Sequence, residues 1–113
     1  MTQDVLHSLE KPGLFEKFKI QVHKDYELAG VLEYIPIIES NNLEQLKTEF
    51  FNSVLKLEMG NALKIVLYRI DITELQIKQA TQKEPEIPLQ QILAELMIKR
   101  ILQKVVLKEL YSK

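Results

Sequence analysis

The chain has 113 residues, of which 46% are apolar and 27% charged, enough for one core and too little for two without metals or disulfides. Fifteen basic and sixteen acidic side chains give a formal net charge of −1, so no overall field draws the chain to nucleic acid or to a membrane surface. With no cysteine, disulfides, thiolate metal sites and a cysteine nucleophile are excluded, and the cytoplasm is the expected compartment.

The start, Met1-Thr2-Gln3-Asp4-Val5, has no basic region and no continuous apolar stretch, which argues against a secretory signal. Apolar runs such as Ile65-Val66-Leu67-Tyr68 fall far short of the roughly 18 to 20 residues needed to span a bilayer. A soluble protein with no membrane association is expected. Three glycines and four prolines leave long uninterrupted stretches, which favours helices over a many-stranded sheet. The predicted fold is all-α, a single domain over 1–113 built as a small bundle of four to five helices. The alternative is α+β, with short strands near 18–22 and 64–72.

Residues 1–13 are read as a short helical turn, in a terminal segment open to fraying, that ends at Lys11-Pro12-Gly13. From there Phe15, Phe18, Val22, Tyr26 and Ala29 recur at steps of three, four, four and three, one apolar stripe of a helix. Glu16, Lys17, Gln21, Lys24 and Asp25 point elsewhere. Pro36 restricts Ile35, so this helix should end near Tyr34 or before. Asn42 opens the next helix as its cap, with Gln45 completing a capping box. Leu43, Leu46, Phe50, Val54 and Leu57 share its face, widened by Phe51, Leu55 and Met59, and Gly60-Asn61 marks its end.

The segment 62–72 is read as helix despite its β-branched content, because an isolated strand would lack a partner. Asp71-Ile72-Thr73-Glu74 has the form of a capping box, starting a short helix through about Lys83. Glu84-Pro85-Glu86-Ile87-Pro88 is a linker, and Pro88 suits the first position of a final helix spanning about 89–111. On that helix Leu89, Ile92, Leu93, Leu96 and Met97 define one face. Ile98, Ile101, Leu102 and Val105 fall on the opposite side, and Leu107, Leu110 and Tyr111 return to the first. A helix that is apolar nearly all round is covered on both sides. In so short a chain this predicts a second copy packed on Ile98, Ile101, Leu102 and Val105, hence a homo-oligomer.

Chemistry-bearing constellations are few. His23 and Glu27, four apart on a helix, could face one metal, but no second such pair and no Glu-x-x-His follows, so an exposed ion pair is the better reading. His7 and Glu10 make a weaker case. Serines 8, 40, 53 and 112 have no Gly-x-Ser-x-Gly setting, and no phosphate-binding glycine motif occurs. Glu84 and Glu86 sit among prolines, where solvated charge is expected. The aromatics Phe15, Phe18, Phe50, Phe51, Tyr26, Tyr34 and Tyr68 are assigned to the core.

Arg100, Lys104 and Lys108 advance by four along the last helix, within a segment holding five basic residues against two acidic ones. They form a candidate surface for an anion or an acidic partner. The competing assignment is a solvated face that suits the helix C-terminus, with Glu95 paired to Lys99. No catalytic residue, cofactor or metal site is indicated, and the chain is expected not to be an enzyme. The leading expectation is a self-associating interaction or structural module. The alternative is a regulator that binds an acidic partner or nucleic acid through the basic stripe, although nucleic acid is not an expected partner on overall charge. A third class, an enzyme or small-molecule binder with a pocket between helices, requires a cavity of a few hundred cubic ångströms lined by a few convergent polar groups.

Overall fold

The computed structural model describes Leu9 and residues 11–111. Within them lie five α-helices and one short 3₁₀ turn, with no strand. The helices are α1 (Pro12–Leu28), α2 (Leu43–Met59), α3 (Leu63–Ile70), α4 (Glu74–Lys83) and α5 (Leu89–Tyr111), and the 3₁₀ turn is Leu32–Tyr34. The all-α expectation holds, and the two candidate strands near 18–22 and 64–72 lie inside α1 and α3. The frayed-segment assignment for 1–13 falls largely outside the described residues.

α1 opens with Pro12 in its first turn, where a missing N–H leaves no intrahelical bond unmade. It ends at Leu28, well before the limit set by Pro36. Gly30 adopts φ +75°, and the Gly30 and Val31 N–H groups return to the Glu27 and Tyr26 carbonyls. That pattern satisfies the last carbonyls through a left-handed residue and stops the helix there. α2 closes the same way, but the left-handed residue is Asn61 (φ 60°) and not Gly60, with the Ala62 N–H bonded to the Leu57 carbonyl. Gly60 is needed for room. A Cβ there would lie 2.3 Å from the Tyr34 hydroxyl. α3 repeats the device at Asp71 (φ 75°), whose neighbour Ile72 donates to the Leu67 carbonyl.

Two caps differ from expectation in detail. Asn42 accepts a hydrogen bond from the Gln45 N–H at 3.0 Å, while the Gln45 side chain turns to Glu39 and Glu49. Only half of the expected box forms. The box predicted at Asp71 and Glu74 sits two residues later, between Thr73 and Gln76, with bonds in both directions. Asp71 was misassigned because it terminates α3 instead of starting α4. Pro88 lies just ahead of α5, its carbonyl accepting from Gln91 and Ile92.

α5 is the central element, packed against α1, α2, α3 and α4. α2 lies beside its first half, with Gln90 bonded to Glu58, and α1 crosses its second half. The core joins Phe18, Val22 and Tyr26 of α1 to Leu46, Phe50, Val54 and Leu57 of α2 and to Met97, Ile98, Ile101 and Leu102 of α5. Phe18 and Phe50 meet as a tilted pair with ring centroids 6.0 Å apart, a favoured aromatic arrangement. The radius of gyration is 13.4 Å, in line with about 13 Å for a compact chain near this length. Among the described residues no helix is long and apolar enough to cross a membrane.

Candidate functional site

The two residue sets singled out on α5 are both occupied within the chain. Ile98, Ile101, Leu102 and Val105 are no more than 3% exposed, because neighbouring helices of the same molecule cover them. The two-sided apolar pattern therefore reflects the central position of α5 among four partners. One chain covers both faces in the middle of the helix, while Leu89, Leu107, Leu110 and Tyr111 towards its ends stay exposed.

The basic stripe is likewise turned to internal use. Arg100 Nη2 bonds Asp71 at 3.0 Å. Lys104 Nζ lies 3.2 Å from Asp25 Oδ2 and donates to the Arg69 carbonyl at 3.2 Å. Lys108 Nζ donates to Gln21 Oε1 at 2.7 Å, and Gln21 in turn donates to Asp25 Oδ1 at 3.1 Å. Lys17 pairs with Glu109 at the end of the same seam. This seam corrects the placement of Gln21 and Asp25, which are 6% and 2% exposed and not on a solvated face. A buried carboxylate needs its charge and lone pairs met, and Lys104 with Gln21 supplies both. Each of the three cations of the stripe thus has a hydrogen-bond partner within the chain.

A second polar device lies in the core. Ser53 Oγ gives its only hydrogen to the Tyr34 carbonyl at 2.6 Å, so the Tyr26 hydroxyl, 2.7 Å away, must donate to Ser53. Burial pushes the Tyr26 phenol well above its ordinary value. Both hydroxyls are committed to structure, linking α1, the 3₁₀ turn and α2.

The other candidates stay apart. His23 and Glu27 are exposed on α1, and no group of three metal-ligating side chains occurs among the described residues. His7 and Glu10 lie outside the described residues, as do Ser8 and Ser112. Glu84 and Glu86 are exposed as expected. Tyr68 is 82% exposed and does not belong to the core.

What remains is a cleft of about 320 Å³ between α2, α4 and α5, which residue patterns on single helices do not reveal. α2 contributes Leu43 and Lys47, and α4 contributes Ala80 and Lys83, followed by Glu84. α5 contributes Ile92, Leu96 and Ile98 with Glu95 and Lys99. Each wall sets a lysine three or four residues after an apolar one, which places the two on one helix face. Lys47 pairs with the exposed Glu44 at 3.4 Å, and Glu95 accepts from Gln91 instead of pairing with Lys99. Among the described residues Lys83 and Lys99 have no carboxylate partner. The result is a cleft open to solvent in which apolar side chains alternate with three lysines and two glutamates. No protein-family model, curated protein or solved structure matches the chain.

Proposed function

We propose that the protein is a non-catalytic binding module whose working surface is the cleft between α2, α4 and α5. One observation carries this: a cavity of about 320 Å³ is lined by apolar side chains of three helices together with three lysines and two glutamates. That size lies at the lower end of the range of roughly 300 to 1,000 Å³ typical of ligand sites, and the lining is more polar than is usual for them, with charged side chains making up half of it. Among the described residues no serine, histidine or tyrosine lines the cleft, so it offers no hydroxyl or imidazole nucleophile. Ser53 is spent on holding the Tyr34 carbonyl.

The test is a titration followed by amide NMR, using a panel of decanoate, inorganic phosphate, and acidic and basic amphipathic peptides. Binding at the cleft is expected to shift the amides of Leu43, Lys47, Lys83, Leu96 and Lys99 together and saturably. Shifts centred elsewhere, or none at millimolar concentration, overturn the proposal. Self-association is a separate proposal. With Ile98, Ile101, Leu102 and Val105 covered within the chain, a dimer would have to use outward apolar groups such as Ile65 and Tyr68 of α3. Light scattering at micromolar concentration decides it.

A further inference from the structure

We infer that the occupant of the cleft is an acidic amphipathic peptide segment of a partner protein, seated with an apolar side chain on the floor and carboxylates on the lysine rim. The inference rests on the cleft being the working surface, and it names the chemistry that surface takes. The first argument is arrangement. Lys47, Lys83 and Lys99 come from three different helices, each beyond an apolar residue of its own helix, so the cations are distributed around the floor. A ligand with a single anionic head would be clamped by donors converging on one point. Here Glu84 and Glu95 stand among the lysines and break up any single-anion pocket. A segment carrying several carboxylates about an apolar anchor can meet separate ammonium groups.

The second argument is size and openness. A cleft of about 320 Å³ open to solvent receives one or two side chains, with the rest of the bound segment lying across its mouth. Helix-in-groove recognition works in this way, with anchors at helical spacing and charges beside them. Charge complementarity sets the preference. Lys83 and Lys99 have no carboxylate partner among the described residues, and Lys47 has only the exposed Glu44, so an incoming acid displaces little.

The experiment uses the full chain and a fluorescein-labelled synthetic helical peptide with leucines on one face and glutamates on the other. Fluorescence polarisation should show saturable binding that weakens with added salt, and NMR should place it at Lys47, Lys83, Leu96 and Lys99. Lys83→Glu combined with Lys99→Glu should lower affinity by about tenfold or more. Lys83→Gln with Lys99→Gln should give a smaller loss in the same direction, read alongside unchanged unfolding midpoints. Equal binding by a scrambled peptide of the same composition, or by one with lysines for glutamates, overturns the inference. If decanoate moves the cleft amides while the peptide moves none, a small amphiphile is the occupant. The inference then falls while the cleft keeps its role. If no probe moves them, both fall.

Discussion

Lys99 and Lys104 lie five residues apart on α5 and have opposite surroundings. Lys104 faces α1, is 19% exposed, and is held by a buried Asp25 and a backbone carbonyl of α3. Lys99 faces the cleft with α4 and has no carboxylate partner among the described residues. The seam is centred on the buried Asp25, whose charge Lys104 meets and whose second oxygen Gln21 satisfies, with more exposed pairs at either end. The cleft is open, and in it Lys83 and Lys99 border apolar side chains and have no carboxylate partner among the described residues. Identical residue types on one helix thus serve cohesion on one side and leave capacity for a partner on the other. Burial of the counter-charge decides between these outcomes.

The largest effect should come from the seam. Lys104→Ala strands the Asp25 carboxylate in the interior, and urea unfolding should show a loss of about 3–5 kcal/mol. Asp25→Leu combined with Lys104→Met should recover most of it, because an apolar pair of matching volume avoids desolvating two charges. A loss of only a few tenths for Lys104→Ala would make the seam as dispensable as a surface pair and erase the contrast.

A smaller effect is expected in the core. Tyr26→Phe removes the donor to Ser53 and should cost about 1–1.5 kcal/mol near neutral pH. It also carries a pH signature. The phenol is raised by burial in the folded chain, so it stays protonated there at pH values where the unfolded chain ionises. Its contribution is therefore complete below the ordinary tyrosine value of 10.0 and is lost as pH rises beyond it. Thermal melts between pH 9 and 11 should fall less steeply for Tyr26→Phe than for the parent chain. Parallel slopes would contradict the burial of this hydroxyl.

The smallest effect should be at the cleft. Lys83→Ala with Lys99→Ala is expected to change stability by no more than about 0.5 kcal/mol, as for ordinary surface positions. A loss of about 2 kcal/mol in the same urea titration would mean that these lysines hold the fold together, and the division between seam and cleft would collapse.

Much of the architecture was legible locally. Periodicity, Asn42, Gly60-Asn61 and the prolines located α2 and α5 closely, since those signals act within one helical turn of their effect. The end of α1 was only bounded by Pro36, while Gly30, six residues earlier, is what stops the helix. Distance in sequence explains the larger misses. The partner of Asp25 is 79 residues away, so nothing near Asp25 signalled that its carboxylate is buried. The apolar surplus of α5 was read correctly as two-sided, but which chain covers it depends on how α1 to α4 are arranged. The cleft was illegible for the same reason, because its lining is assembled from three separate segments and no one of them carries a motif.

α4 differs from every other helix in having no fully buried residue. It is secured by half-buried Ile77 and by the reciprocal Thr73–Gln76 cap, with Ala80 and Lys83 set along the cleft. Few buried apolar contacts mean a low free energy of local opening, so α4 should release its amide hydrogens to exchange before the core helices do. One wall of the cleft thus has its own opening equilibrium within a fold that stays intact. A ligand gripping Lys83 would slow exchange along α4 first, turning that helix into a built-in gauge of occupancy.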